Sequence, residues 1–169
     1  MANNMYIVKM HRSVGVKLTT AAMLLFILAF GPICYLEEQG WLPMVIMLVV
    51  MVPLFVVTWL HSPRTLMIDR NTLTIGRRVK PVVISLGDIR RVERVESKIV
   101  RRSMRTMGNG GMWAYTGKYY HREIGNYQLF ATEMRNLLLI ETDKQKYVVS
   151  SVDTHMYRML RDSIKPSAV

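Results

Sequence analysis

The glycine-rich stretch at residues 108–125, GNGGMWAYTGKYYHREIG, contains the residue types that could cradle a phosphate with backbone N–H groups. A dinucleotide-binding fingerprint would need a third glycine at position 113, which is Trp113, and no βαβ pattern surrounds the loop. A P-loop ending at Gly117 would need Gly at position 112 and Ser or Thr at position 119, which are Met112 and Tyr119. Both nucleotide motifs therefore fail on residue identity.

The residues of acid–base, nucleophilic and metal chemistry are dispersed along the chain. The four histidines are His11, His61, His121 and His155, and no HExxH, Cys-His or G-x-S-x-G arrangement accompanies them. His121 lies two positions from Glu123, but a pair in a Tyr-rich loop is more typical of solvated surface side chains. The sequence therefore predicts that the protein is not an enzyme, with no catalytic residue, no metal and no cofactor.

Two long apolar segments precede this region. Residues 18–36 and 41–60 run for nineteen and twenty positions without a charged residue. A helix needs about 20 residues to cross roughly 30 Å of hydrocarbon, so each segment is long enough to span a bilayer. A cleaved signal peptide is an alternative for the first segment, but its apolar run is longer than a signal core and no small-x-small site follows. A buried soluble hairpin would need more covering protein than the remaining residues provide.

The charges that flank the apolar segments predict their orientation. Lys9, Arg12 and Lys17 precede the first segment and four arginines closely follow the second, whereas the connection, EEQG, has no Lys or Arg. The positive-inside rule then places both termini in the cytoplasm. We expect an inner-membrane protein with two spans, composed of a basic cytosolic segment (1–17), a transmembrane helical hairpin (18–60) and a cytosolic domain (61–169).

The segment after the hairpin has the pattern of a small β-rich domain. Residues 62–169 carry 20 Lys and Arg against 10 Asp and Glu, a net charge of +10. Short alternating runs such as TLMID and TLTIG predict strands, and Val152, Met156 and Leu160 recur at helical spacing near the C-terminus, where Ser151 or Asp153 can cap a helix. About seven antiparallel strands closed by one amphipathic helix indicate a small barrel or a pair of orthogonal sheets.

Several motifs in this domain resemble those of the bacterial PH (pleckstrin-homology-like) domain family. The resemblance extends over about residues 65–160 and lies in RTMGNGGMWAYTGKYY, IGNYQLFAT and LLLIETDKQKYVVSS. The family's arginine, glycine and threonine positions are occupied here by Arg105, Gly108, Gly110, Gly111, Gly117, Gly125 and Thr132. Members commonly have Phe-Gly where this chain has Trp113 and Ala114. The resemblance implies an all-β PH-like small barrel capped by a C-terminal α-helix, and it implies little about a ligand.

The densest charge lies at residues 90–105, RRVERVESKIVRRSMR, with seven cations and two glutamates. Read as a helix, the seven cations fall within about 120° of arc. The family resemblance instead favours a strand over residues 88–95, and the stretch after it stays open, with a helical turn as one option. We call residues 90–105 the basic stripe.

The basic stripe and the nearby cations predict engagement of anionic lipid headgroups or an acidic partner at the cytoplasmic membrane face, where each Lys or Arg near the surface contributes about 1 kcal/mol. The candidate binding residues are Arg77, Arg78, Lys80, Arg90, Arg91, Arg94, Lys98, Arg101, Arg102 and Arg105. The simpler alternative is that membrane orientation and solubility account for the charge.

A different prediction is that the domain is a scaffold or regulatory subunit that self-associates or binds another membrane protein. Its candidate anchors are the loop aromatics Trp113, Tyr115, Tyr119 and Tyr120. Nucleic acid is a weaker candidate partner, because the basic charge is not accompanied by an RNA- or DNA-binding motif.

Overall fold

The computed structural model of the chain describes residues 5–36, 41–150 and 152–163. Its helices are α1 (Val14–Leu36), α2 (Leu42–His61), α3 (Ser97–Arg102) and α4 (Thr154–Ser163). Its strands are β1 (Tyr6–Lys9), β2 (Pro63–Ile68), β3 (Thr72–Arg77), β4 (Val82–Ser85), β5 (Ile89–Val95), β6 (Met104–Gly110), β7 (Tyr115–His121), β8 (Gly125–Ala131), β9 (Leu137–Thr142) and β10 (Lys146–Val149). A 3-10 turn at Leu86–Asp88 joins β4 to β5.

The two apolar segments form the helices α1 and α2, which contact each other. By length and composition α2 could cross a membrane, because its mean hydropathy is 2.5 and none of that apolar window is buried in the protein. Within α1, residues Val14–Phe30 form a shorter apolar stretch. Pro43 lies in the first turn of α2, where its missing N–H has no intrahelical partner to lose. The connection EEQG lies outside the described residues.

The first sheet has four antiparallel strands in the order β1-β2-β3-β4. Strand β1 was not predicted from the sequence. It precedes both apolar helices, yet Tyr6 pairs with Ile68 and Lys9 with Thr65. The backbone N–H of Met10 donates to the carbonyl of Arg64 at 2.8 Å, which extends the pairing toward α1. The N-terminal segment is therefore part of the β-domain.

The second sheet has six strands in the order β5-β9-β10-β8-β7-β6. Its pairs are antiparallel except for β8 with β10, which are parallel because the short β9–β10 hairpin folds back between β5 and β8. The prediction of a small barrel of about seven antiparallel strands is therefore wrong in detail. The described strands form two separate sheets with no closed barrel, because the chain leaves the first sheet at the 3-10 turn and β5 pairs with β9.

The main core lies between the two sheets and is closed by α4. Phe130 from the second sheet packs there with Leu66 and Ile75 from the first, and Met156 and Leu160 bury the inner face of α4. The carboxylate of Asp153 accepts a hydrogen bond of 2.8 Å from the N–H of Met156 and so caps the helix. Ser151, the other candidate cap of this helix, lies outside the described residues.

A second cluster covers the outer face of the six-stranded sheet. Val100 from α3 packs there with Tyr119, Tyr127, Leu129 and Leu137. The sheet is therefore apolar on both faces in its centre, which accounts for the nearly continuous apolar run of β9.

Candidate functional site

The glycine-rich stretch forms the hairpin β6–β7. Gly108 and Gly117 are direct cross-strand partners, with φ of 130° and 142°. A Cβ on either residue would clash with the backbone carbonyl of the opposite strand. These two glycines permit a close approach of two strands, so they have a backbone role rather than a phosphate-binding one.

The tip of this hairpin packs against both apolar helices. The N–H of Trp113 donates to the hydroxyl of Thr20 on α1 at 3.1 Å, and its ring meets Phe55 of α2 edge-on at 5.0 Å between centroids. The hydroxyl of Thr58, also on α2, lies 3.5 Å from the sulfur of Met112. The guanidinium of Arg12 lies over the indole ring at 5.2 Å. The hairpin tip therefore fixes the β-domain to the helix pair.

The four loop aromatics have different environments. Trp113 is packed at the helices, Tyr119 is buried and stacks on Tyr127 at 5.9 Å, and Tyr115 is half-buried. Burial raises the pKa of Tyr119. Tyr120 is 46% exposed. Three of the four rings are thus engaged within the chain, and Tyr120 alone of the four presents a large free surface.

The structure divides the basic stripe among β5, α3 and β6. On β5, Arg90 makes two hydrogen bonds to the carboxylate of Asp143, at 2.6 and 2.9 Å, and these lower the pKa of Asp143. Arg91 lies 2.5 Å from the carboxylate of Glu93, and the guanidinium of Arg94 lies over the ring of Tyr157 on α4.

The other four cations of the stripe lie beyond β5 and, like the first three, are exposed. Lys98, Arg101 and Arg102 are exposed on α3, and Arg105 on β6 lies beside the phenol of Tyr119. The seven cations of the stripe are therefore divided among three elements, and two of the three on β5 lie against carboxylates.

The candidate cations that precede β4 also have different surroundings. Arg77 donates two hydrogen bonds, of 3.0 and 2.6 Å, to the carbonyl of Lys80, which has a φ of 49°. Burial lowers the pKa of Arg77. Its guanidinium therefore stabilises the β3–β4 turn. Arg78, the next residue, instead lies over the ring of Trp59 near the end of α2, at 3.3 Å from the ring centroid.

A cluster of cations that sequence reasoning did not assign to binding lies beside Arg78. Lys9, Arg12, Lys17 and Arg64 line a cavity of about 520 Å³, together with Met10, His11, Pro63 and Thr65. We call this cavity the basic pocket. All of its lining residues are among those described, and none is Asp or Glu. Strand β1 assembles it, because pairing with β2 brings the residues before α1 next to those after α2.

In the protein alone, the cations in and beside the basic pocket repel one another. Burial and then repulsion from Arg64 lower the pKa of Arg12. Burial, followed by repulsion from Arg64 and Arg12, lowers the pKa of Arg78. The N-terminus of α1, with no acidic residue in its first turn, adds the positive end of a helix dipole beside these groups. An anion bound here would relieve the repulsion.

Three of the four cations of the basic pocket were visible in the sequence, since Lys9, Arg12 and Lys17 were recognised as charges that flank the first apolar segment. Their proximity to Arg64 could not be predicted, because it depends on the pairing of β1 with β2.

A second depression adjoins the basic pocket along α1. Its volume is about 240 Å³, and it is lined by Val16, Thr20, Ala21, Leu24 and Trp113 together with Arg12 and Lys17. We call it the apolar groove. Within the described residues, no group of three or more His, Cys, Asp or Glu side chains could hold a metal ion.

Two sheets of mostly antiparallel strands with a C-terminal helix over their core define a PH-like domain. A model of the bacterial PH domain family matches residues 64–161, more than half of the chain, so the chain belongs to that family. The match begins in β2 and ends in α4, and it includes the hairpin β6–β7 but neither β1 nor the apolar helices. Comparisons with curated proteins and with solved structures found no match.

Proposed function

We propose that α1 and α2 form a two-span hairpin in the cytoplasmic membrane, with both termini and the PH-like domain on the cytoplasmic side. The apolar, exposed surface of α2 supports this topology. The distribution of Lys and Arg supports it as well, because cations lie at the β-domain ends of both helices while the connection EEQG has none. In this orientation the basic pocket lies where both helices leave the hydrocarbon.

The proposed function is that of a non-enzymatic, membrane-anchored PH-like adaptor that engages anionic lipid headgroups at the cytoplasmic membrane face. The observation that carries this proposal is the basic pocket, which gathers four cations without a carboxylate between Lys17, at the start of α1, and Pro63, just after α2. Lipid phosphates lie at this depth of a bilayer, and each nearby Lys or Arg gains about 1 kcal/mol from an anionic surface.

The experiment uses the full chain, because a fragment that begins at Ser62 would lack β1 and five of the eight residues that line the basic pocket. The protein is reconstituted in nanodiscs that contain equal amounts of phosphatidylglycerol and phosphatidylcholine. Native mass spectrometry then counts the lipids that remain bound to the protein after it is released from the nanodisc. Preferential retention of phosphatidylglycerol that weakens as salt increases is the expected result. Equal retention of the two lipids would refute the proposed function.

A second candidate function is a scaffold or regulatory subunit that binds a partner or a second copy through its β-domain. The observation that favours it is an uncovered face at the edge of the six-stranded sheet. Met104 and Met107 of β6 are 70% and 71% exposed, Tyr120 lies directly opposite Met104, and β6 pairs on one side with β7. An open edge strand beside exposed apolar side chains is a common site of association.

Size-exclusion chromatography with light scattering in mild detergent tests the second function. If this face mediates association, the doubly substituted Met104→Ser/Met107→Ser chain will have a smaller mass than the unsubstituted chain. A monomeric unsubstituted chain that also recovers no partner from native membranes would remove this candidate.

A further inference from the structure

The basic pocket and the apolar groove share Arg12 and Lys17, so they adjoin as the two parts of a depression beside the first turns of α1. Its two parts differ in chemistry. The pocket presents four cationic side chains, whereas the groove runs along α1 past Val16 to Leu24, toward the apolar middle of the helix. A depression with one cationic end and one apolar end fits an amphiphile that has an anionic head.

The hydroxyl of Thr20 and the backbone N–H of Trp113 are already paired in the groove. The hydroxyl of Thr20 donates to the carbonyl of Val16 at 2.8 Å and accepts from the N–H of Trp113 at 3.1 Å, and the Thr20 side chain is buried. Away from Arg12 and Lys17, the groove presents mainly methyl, methylene and indole surface, and the indole N–H of Trp113 is buried with no hydrogen-bond partner among the described residues. A hydrocarbon chain in the groove leaves the hydrogen bonds of Thr20 intact.

On the basis of the function proposed above, we infer that this depression is a binding site for one anionic phospholipid. The phosphate lies in the basic pocket, where Arg64 and Arg12 can contribute charge-assisted hydrogen bonds. One acyl chain lies in the apolar groove against Ala21 and Trp113. The bound phosphate offsets the repulsion among Arg12, Arg64 and Arg78, and the acyl chain contacts the same indole ring that fixes the hairpin tip to the helices.

The ligand is a lipid rather than a free phosphate, because a soluble anion would occupy the basic pocket and leave the apolar groove empty. The groove opens along a helix whose other side chains are mostly exposed and apolar, as expected for a surface that faces acyl chains. Comparing the affinity for phosphatidylglycerol with the affinities for glycerol 3-phosphate and inorganic phosphate distinguishes a lipid ligand from a soluble one.

Two charge variants of the full chain test the pocket. Lys9→Gln/Arg64→Gln removes two exposed cations from the pocket, and Arg70→Gln/Lys144→Gln removes two exposed cations from the turns at the opposite end of the domain. Both variants lower the net charge equally. The expected result is a loss of roughly tenfold or more in phosphatidylglycerol affinity for the pocket variant, and a change of less than about twofold for the control. Circular dichroism verifies the folding of each.

A second pair of variants tests the groove without changing charge. Ala21→Phe fills the groove, while Ala29→Phe adds the same bulk farther along α1, at another exposed alanine. We expect Ala21→Phe to weaken phosphatidylglycerol binding several-fold and Ala29→Phe to leave it unchanged. This pair remains informative even if the pocket variant does not fold.

The outcomes separate this inference from the proposed function. If the unsubstituted chain has no preference for phosphatidylglycerol, both are wrong. A preference that the pocket and control variants weaken equally would leave the proposed function intact and overturn the specific site. Glycerol 3-phosphate or inorganic phosphate binding as tightly as phosphatidylglycerol, or equal effects of Ala21→Phe and Ala29→Phe, would overturn the lipid assignment.

Discussion

The basic stripe and the basic pocket are both rich in cations, but their cations have different surroundings. In the stripe, Arg90 and Arg91 lie against carboxylates and the remaining cations are distributed over three elements. In the basic pocket the cations come from both sides of the apolar helix pair, and no Asp or Glu is among the described residues that line it. The comparison shows that local density in the sequence does not measure how available a charge is for a ligand. Availability depends on the counter-charges that folding brings alongside.

The largest expected effect concerns the stability that the hairpin tip, which lies beside Arg12 of the basic pocket, gives the chain. Trp113→Ala removes the ring between Arg12 and Phe55, and truncating a packed Trp costs about 3–5 kcal/mol. Thermal unfolding of the full chain in detergent measures the loss. Tyr120→Ala, at a residue that is 46% exposed, is the control and should cost less than about 1 kcal/mol. Equal losses would show that the tip does not anchor the domain to the helices.

The next effect separates stability from function within the pocket. Arg64→Glu places a carboxylate beside Arg12 and Arg78, so it should relieve their repulsion and raise stability by up to about 1 kcal/mol. The same change should abolish the preference for phosphatidylglycerol. Native mass spectrometry and thermal unfolding are measured on the same preparation.

Arg101→Glu is the matched control, since this cation is exposed on α3 in the stripe. It should leave stability nearly unchanged and reduce the phosphatidylglycerol preference only slightly. If Arg101→Glu reduced lipid retention as much as Arg64→Glu, the pocket would have no advantage over the stripe.

A smaller effect distinguishes two adjacent arginines. Arg77 donates to the carbonyl of Lys80, whereas Arg78 lies over Trp59 and beside the cations of the pocket. Arg77→Gln should lower stability by about 1 kcal/mol and leave lipid retention unchanged. Arg78→Gln should do the reverse, with retained phosphatidylglycerol reduced and stability preserved. Identical profiles for the two variants would contradict the division of roles.

The smallest effect concerns the paired end of the stripe. The hydrogen bonds from Arg90 lower the pKa of Asp143, so this pair stabilises the folded chain at neutral pH and stops doing so as the pH falls through that lowered pKa. Arg90→Gln should therefore be slightly less stable than the unsubstituted chain at neutral pH and equal to it in acid, with unchanged lipid retention. A stability difference that persists in acid would show that the pair does not act through the ionised carboxylate.

Much of the fold could be predicted because its signals are local. The uninterrupted apolar runs predicted α1 and α2, and the alternation of Leu66, Ile68, Leu73 and Ile75 predicted the hairpin β2–β3, whose register places these four side chains in the core. The C-terminal helix was predicted from its apolar spacing, and Asp153, one of the two candidate caps, accepts the capping hydrogen bond. The family motifs also predicted the PH-like domain, which the family match confirms.

The features that were missed depend on distant pairings. Strand β1 has only four residues, and its partner comes after both apolar helices, so its strand-forming residues Tyr6, Ile7 and Val8 do not by themselves indicate the pairing. The open arrangement of two sheets depends on β10 inserting between β8 and β9. The family resemblance correctly favoured a strand over residues 88–95, which contain β5, but the helical turn α3 was only one option for the residues that follow.

The sequence by itself determined two apolar helices, a basic PH-like domain and glycines where two strands approach closely, because hydrophobic periodicity, charge and backbone conformation depend on near neighbours. Only the tertiary structure decided which cations are available. It paired Arg90 with Asp143, assigned Arg77 to a turn, and used β1 to gather Lys9, Arg12, Lys17 and Arg64 around one pocket. The physical reason is that electrostatic interactions depend on distances in space, and those distances are set by strand pairing between segments far apart in the chain.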